Sequence, residues 1–221
     1  MGFNNSSQVE FDLSAQWGFV PIFQLSCSLS AFGANLLTLF IFGTVRSLQT
    51  PFNVYLMFLL TFNIINAVVV CPFDTLAVLY PHWIFGANMC SAYLYICWMT
   101  QAVIPHTHLL ISLNRVWAVT APHHYRDHIS KRLSMWSCVV IFAYVNAMLL
   151  PLMILDVVKY RTNELANGCE VNVLAAGNLG AAVQYAVYDL PIILVIVLYP
   201  IIAVQVLRSW VAQKRIIHHG E

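Results

Sequence analysis

Long runs of residues without a formal charge constrain this chain more than any other feature of its sequence. No Asp, Glu, Lys or Arg lies between Asp12 and Arg46, between Arg46 and Asp74, or between Asp74 and Arg115. The composition is 60% hydrophobic and only 9% charged, whereas a soluble domain carries roughly 25% charged residues. A soluble fold of this size cannot bury so much apolar surface, so the sequence predicts an all-α integral membrane protein.

The apolar runs are long enough for several membrane-spanning helices, each of which needs about 20 apolar residues. We expect five of them, at residues 18–44, 52–80, 87–118, 134–155 and 179–207. The chain then divides into an outer N-terminal tail, a five-helix membrane domain and an inner C-terminal tail, at residues 1–17, 18–207 and 208–221. The N-terminal tail lacks the basic start and the cleavage pattern of a signal peptide, so the first helix is expected to direct insertion.

The placement of Lys and Arg predicts the orientation of these helices. With the N-terminus outside, two of the ten basic residues lie on outer loops, Lys159 and Arg161. The others lie on the inner side: Arg46, Arg115, Arg126, Lys131, Arg132, Arg208, Lys214 and Arg215. Basic residues are in excess on the cytoplasmic side of membrane proteins. We therefore expect a multi-pass protein of the plasma membrane with a cytoplasmic C-terminus.

Two short motifs at the N-terminus indicate opposite orientations. Asn4 and Asn5 each begin an Asn-x-Ser glycosylation signal, which is used only on the outer side of the membrane. Met1-Gly2 followed by Ser6 matches the myristoylation pattern, which requires a cytoplasmic N-terminus. The charge distribution rests on many more residues than the myristoylation motif, so we expect glycosylation at Asn4 and Asn5.

A set of residues at characteristic spacings points to a family. They are, in chain order, Gly33, Asn35, Asn53, Leu56, Leu59, Asn63, Pro72, Trp83, Gly86, Cys90, Arg115, Pro191 and Tyr199. Each is a weak signal alone, but their joint spacing is specific. From about residue 33 onwards the chain resembles the rhodopsin-like (class A) G-protein-coupled receptors. The resemblance implies five helices of a seven-helix receptor bundle.

Cys90 and Arg115 are 25 residues apart in the third predicted helix, a distance of about 37 Å along its axis. One therefore lies at each face of the membrane, and Cys169 lies in the outer loop after the fourth helix. A disulfide between Cys90 and Cys169 is possible in an oxidising compartment, and two free thiols are the alternative. The resemblance implies the disulfide. The remaining cysteines are expected to pack in or near the helices: Cys27, Cys71, Cys97 and Cys138.

Asn114, Arg115 and Tyr199 are the residues to which the resemblance assigns G-protein coupling and activation. In such receptors the arginine follows an acid, pairs with it at rest and contacts the G protein when active. Here Asn114 stands in place of the acid and brings no charge, which implies a weaker resting restraint and elevated basal activity. The alternative is an ordinary interfacial arginine. The resemblance also has Tyr199 swing towards the arginine on activation, although Pro200 directly follows it here.

The resemblance places a ligand cavity between the second, third and fifth helices, open to the outside. The residues expected to line it are Asp74, Cys97, Trp98, Gln101, Gln184 and Tyr188. Cys97 stands where amine receptors carry an aspartate, which disfavours a monoamine ligand. Helix–helix packing is the alternative role for all six. Prolines inside the helices predict kinks at Pro72, Pro105 and Pro191.

Helices six and seven of the family do not occur in residues 1–221, so we expect a truncated receptor. Completed by those helices, it would bind an unknown extracellular ligand, a peptide or chemosensory cue, and relay to a heterotrimeric G protein. The alternative is a non-signalling five-helix protein that associates with full-length receptors in the lipid bilayer, as in a receptor oligomer. The sequence contains no catalytic, metal-ligand or nucleotide motif and no basic tract. It therefore predicts no enzyme activity, no cofactor, no metal and no nucleic-acid partner.

Overall fold

A computed structural model describes residues 15–80, 82–161 and 168–218, and for 209–218 the backbone alone is described. Helices dominate these residues, and no strand occurs among them. The long helices are α1 (Phe19–Thr44), α2 (Pro51–Leu79), α3 (Gly86–Thr120), α4 (Lys131–Tyr160) and α5 (residues 177–218). They follow the five predicted stretches closely. The main difference is at the end of α5, where the expected inner tail continues the helix to His218.

Local capping signals explain where α2 and α4 begin. The Thr50 side chain accepts a hydrogen bond from the backbone N–H of Asn53, and Pro51 fills the first helical position, where its missing N–H costs nothing. Ser130 caps α4 in the same way, through the N–H of Leu133 at 3.2 Å. The cap starts α4 a few residues before the predicted residue 134, because charged residues in the first turn do not prevent helix formation.

Four of the long helices are long and apolar enough to cross a membrane: α1, α2, α4 and residues 177–208 of α5. α3 has 35 residues, ample length for a crossing, but a more polar composition. It packs against α2, α4 and α5, which separate much of its surface from the surroundings. A helix surrounded by others needs less apolar surface than one that faces lipid. The number of crossings and their orientation stay predictions.

The core lies around α3 in three layers. A central cluster joins Met99, Ala102 and Val103 of α3 to residues of α2, α4 and α5 such as Phe62 and Val145. An outer cluster surrounds the first turns of α3: Val70, Trp83, Cys90, Tyr93, Leu94 and Cys97. A smaller inner cluster holds Tyr55, Ile111 and Cys138. α3 is therefore the structural axis to which the other helices attach.

Wide π-helical turns precede two of the three prolines at which kinks are predicted. Asn66–Val70 comes just before Pro72, and Gln184–Asp189 comes just before Pro191. Proline has no N–H to bond the carbonyl four residues earlier, and those carbonyls lie within the π turns. The wider π turn allows the helix to continue past each proline although one backbone hydrogen bond is missing. Pro105 lies in uninterrupted α-helix, and the kink there stays a prediction.

Candidate functional site

The outer end of α3 is covalently joined to the loop that follows α4. Cys90, in the second turn of α3 and fully buried, forms a disulfide with Cys169, with 5.7 Å between the two Cα atoms. Gly168 adopts a φ of +80°, in the left-handed region that favours glycine. The bond implied by the family resemblance is thus present, and it holds the outer loop against the top of the helix bundle.

A buried ion pair, which the sequence did not predict, holds the same loop at a second point. The Arg161 Nε and Nη2 atoms each lie 2.8 Å from Oδ2 of Asp156, and neither side chain is more than 7% exposed. Arg161 Nη1 donates to the Ser91 hydroxyl on α3 at 2.6 Å. The Asn172 N–H, beyond the disulfide, donates to the other carboxylate oxygen at 2.9 Å. The pair therefore connects α4, α3 and both ends of the outer loop.

Three of the predicted ligand-pocket residues form one polar cluster on α2 and α3. The Tyr93 hydroxyl donates to the Asp74 carboxylate, and Tyr93 packs in the same outer cluster as Cys97. One turn further along α3, the Gln101 amide donates to the sulfur of Cys97 at 3.2 Å. Tyr93 was not among the residues predicted to line the ligand cavity. The available signal was Asp74, because an acid in an apolar segment needs a hydrogen-bond partner.

Asp74 also borders a cavity of about 480 Å³ between α1 and α2, the interhelical cavity. Its lining is mainly apolar but includes the amides of Asn35, Asn63 and Asn66. The Asn63 amide donates to the Asn35 side chain at 3.3 Å, so these two residues link α1 to α2. A carboxylate and several amides at one cavity can bind a polar or positively charged group.

The other three predicted pocket residues are divided between two places. Trp98 and Tyr188 are paired across α3 and α5, with ring centroids 5.6 Å apart and the Tyr188 hydroxyl 2.9 Å from the Trp98 carbonyl. Gln184 is exposed and donates to Asp189 on its own helix at 3.1 Å. In a π turn residue i meets residue i+5, which explains the pairing. The geometry therefore separates Gln184 from the group around Asp74.

At the inner end of α3, Arg115 forms no ion pair with an acid among the described residues. Its guanidinium carbon lies 5.3 Å from the centre of the Phe52 ring, and its side chain is exposed. Asn114 is buried and donates to the Tyr125 hydroxyl at 3.3 Å, rather than bonding Arg115. Tyr199 on α5 is 48% exposed and, within the described part of the chain, makes no hydrogen bond to Arg115.

A short helix, Pro122–His128, follows α3 directly. The Trp117 indole donates to His124 Nδ1 at 3.1 Å, and the rings of His124 and His128 stack at 4.1 Å. Their i, i+4 spacing on a helix brings them together. Within the described ranges no three His, Cys, Asp or Glu side chains gather as a metal site would require. The predicted glycosylation sites at Asn4 and Asn5 lie outside the described residues.

Comparisons with known proteins identify a receptor family. The family described as "7 transmembrane receptor (rhodopsin family)" matches residues 34–219. The alpha-2 adrenergic receptor of Labrus ossifagus is 29% identical over 137 residues, 59% of this chain and 30% of the receptor. Neuropeptide Y receptor type 6 of Mus musculus is 25% identical over 155 residues, 67% of this chain and 41% of the receptor.

A third relative, the G0-coupled rhodopsin of Mizuhopecten yessoensis, is 24% identical over 129 residues, 56% of this chain and 32% of the rhodopsin. The chain thus spans 30% to 41% of the length of these curated relatives. At 24% to 29% sequence identity, the ligands of these relatives are not assigned to this chain. The family match nevertheless extends over most of the chain, including both ends of α3. The chain belongs to the rhodopsin family of seven-transmembrane receptors.

Proposed function

We propose that this chain forms the first five helices of a plasma-membrane receptor that binds an extracellular ligand and relays to a heterotrimeric G protein. The observation that carries the proposal is the asymmetry of α3. Cys90 joins its outer end to a loop that is fixed twice, and Arg115 is exposed at its inner end. A helix that is anchored on the ligand side and accessible on the cytoplasmic side can couple the two faces. Helices six and seven would supply the element that moves when such a receptor is activated.

The ligand is proposed to be a peptide or chemosensory cue that presents a positive group to Asp74. That carboxylate is half-buried, borders the interhelical cavity and is held by Tyr93. The effective dielectric constant around a half-buried carboxylate is lower than that of water, so the carboxylate attracts an opposite charge more strongly there than in bulk water. Cys97 offers no charge on α3, which argues against a monoamine. The Trp98–Tyr188 pair supplies aromatic surface between α3 and α5.

Coupling is proposed to depend on Arg115, with a resting state that is weakly restrained. An acid beside the arginine would hold it by a charge-assisted bond, whereas Asn114 bonds Tyr125 instead. The Phe52 ring at 5.3 Å gives only a modest cation–π contact, worth about 0.5–1 kcal/mol at an exposed site. The proposed consequence is elevated basal activity.

A second candidate is a modulator that associates with complete receptors. The interhelical cavity favours it, since amides such as Asn35 and Asn66 border a space between helices in apolar surroundings. A neighbouring helix with polar side chains would satisfy such groups better than lipid does. Under this proposal the five-helix chain lowers signalling by occupying a receptor partner.

One experiment separates the two candidates. The chain is co-expressed with a segment that supplies helices six and seven, reconstituted in nanodiscs, and assayed for nucleotide exchange on purified G proteins without ligand. The receptor proposal expects exchange above that of empty nanodiscs, and R115A should lower it about tenfold or more, the effect of losing a charged hydrogen bond. R126A, an exposed inner arginine, is the matched control.

Exchange no higher than that of empty nanodiscs would contradict the receptor proposal. If the chain then reduces signalling of a co-expressed full-length receptor and co-purifies with it, the modulator is supported. If it does neither, both proposals fail.

A further inference from the structure

We propose that a second, smaller cavity on the outer surface binds an organic cation. This cavity, the outer cup, has a volume of about 180 Å³ and lies between the end of α2, the following turn and the disulfide-bonded loop. Six of its lining residues carry the argument: Tyr80, Trp83, Phe85, Gly168, Cys169 and Glu170. It shares no lining residue with the interhelical cavity, so ligands of the two sites do not compete for the same side chains.

The aromatic wall of the outer cup is rigid. The Trp83 indole N–H donates to the Gly86 carbonyl at 2.9 Å, and Trp83 is only 4% exposed. Its ring stacks on Tyr93 at 5.4 Å and meets Phe85 edge-on at 5.3 Å, so the buried indole supports the Phe85 ring, which is 40% exposed and borders the cup. The face of an aromatic ring attracts a cation, and a ring that is already fixed loses little entropy when it binds one.

The opposite side of the cup carries a negative charge on a fixed backbone. Glu170 follows Cys169 directly, so the disulfide to Cys90 limits where its carboxylate can move. Its side chain is exposed, and no Lys or Arg among the residues that the structure describes forms an ion pair with it. A carboxylate and fixed aromatic rings at one small cavity are a combination that proteins use for alkylammonium and guanidinium groups.

The size and charge of the cup define the ligand class. A space of about 180 Å³ holds a single head group such as a trimethylammonium or a guanidinium, and not a whole peptide. Glu170 repels anions, and a neutral aromatic ligand would leave the carboxylate unused. The cation can come from a free metabolite or from a basic side chain of a larger extracellular ligand. Both sources would present the same kind of cationic group to the cup, and two different probe molecules distinguish them.

The test uses the full chain in nanodiscs and saturation-transfer NMR with two probes, choline and N-acetylarginine amide. We expect transfer from the protein to the N-methyl or side-chain methylene protons of at least one probe. E170Q, which keeps the shape and removes the charge, should weaken binding about fivefold, the upper range for a solvent-accessible ion pair. D127N, which removes an exposed acid of the helix Pro122–His128, is the matched control and should leave binding unchanged. D74N removes only the share of probe that binds in the interhelical cavity.

Binding of choline alone indicates a free ammonium compound, and binding of the arginine amide alone indicates a side chain, and both results support the proposal. It is overturned if neither probe binds the wild-type chain. It is also overturned if D74N abolishes binding while E170Q retains it, or if 3,3-dimethylbutanol, the neutral isostere of choline, binds equally well. A non-reducing mass measurement verifies that E170Q retains the Cys90–Cys169 bond. The result is independent of signalling, so the proposed receptor function and this site can fail separately.

Discussion

The two ends of α3 are built in opposite ways. At the outer end a disulfide, a buried ion pair and the Ser91 hydrogen bond hold the helix to the loop beside it. At the inner end Arg115 is exposed beside an aromatic ring, and a 3.3 Å hydrogen bond joins Asn114 to Tyr125. Regions with few buried contacts open at a low free-energy cost, whereas cross-linked ones do not. The difference indicates a fixed outer frame and an adjustable inner surface, as the proposed receptor function requires.

Removing the disulfide should have the largest effect on this comparison. Cys169→Ser removes the covalent link between the outer loop and α3 and leaves Cys90 unpaired, and loss of a native disulfide costs about 2–5 kcal/mol. We expect surface expression of a version completed by helices six and seven to be abolished, measured by labelling of intact cells. Cys138→Ser is the control, because Cys138 is a buried free thiol in the inner cluster. Wild-type surface levels for Cys169→Ser would show that the outer frame does not depend on the bond.

Breaking the buried ion pair should have the next largest effect. Asp156→Asn removes the carboxylate that both Nε and Nη2 of Arg161 contact, and breaking a buried ion pair from one side costs about 3–5 kcal/mol. The apparent melting temperature in detergent, followed by labelling of newly exposed cysteines, should fall clearly. Lys159→Gln, an exposed basic residue in the same turn, should leave it unchanged.

The double variant Asp156→Asn with Arg161→Met sharpens the interpretation of the ion pair. Because neither charge remains, part of the lost stability should return, and the difference from the single variants gives the coupling energy. If Asp156→Asn melts like the wild type, the pair adds nothing to the outer frame and the contrast with the inner end rests on the disulfide alone.

A charge introduced at the inner end should make the two ends more alike. Asn114→Asp places a carboxylate beside Arg115 and gives Tyr125 a charged acceptor, so the resting state gains about 1.5–3 kcal/mol at most. We expect basal nucleotide exchange of the completed receptor to fall about tenfold. Asn88→Asp, exposed in the first turn of α3, is a control for added charge that leaves the inner end intact. Unchanged exchange in Asn114→Asp would show that Arg115 is not restrained from this position.

The helices were predictable from sequence because charge-free runs report directly on burial in lipid. The predicted residues 18–44 and 52–80 match Phe19–Thr44 and Pro51–Leu79 to one residue at each end. The Cys90–Cys169 bond was predictable through the family resemblance, since elimination among six cysteines leaves many pairings. The positions of the helices and the pairing of these two cysteines could therefore be predicted from the sequence.

The local details of the site were not predictable for a physical reason: each depends on a short-range geometry that composition does not encode. Arg161 was counted as an outer loop charge, yet it folds back on Asp156 five residues earlier and is buried. An acid near the end of a span in so charge-poor a chain was the available signal. The π turn at Gln184–Asp189 likewise pairs Gln184 with Asp189 five residues later, a contact that the sequence did not predict.

The smallest expected effect concerns the hydrogen bond that joins the inner end of α3 to the helix Pro122–His128. Tyr125→Phe removes the hydroxyl that accepts from Asn114 and keeps the ring that meets Trp117 edge-on at 5.3 Å. At 3.3 Å the bond is long, so the free energy of unfolding should fall by only about 0.5 kcal/mol. Thermal unfolding of the reconstituted chain measures it, with Tyr185→Phe, 57% exposed on α5, as the control. A loss as large as that of Asp156→Asn would mean that the inner end is held as firmly as the outer one, and the proposed division between frame and moving surface would not stand.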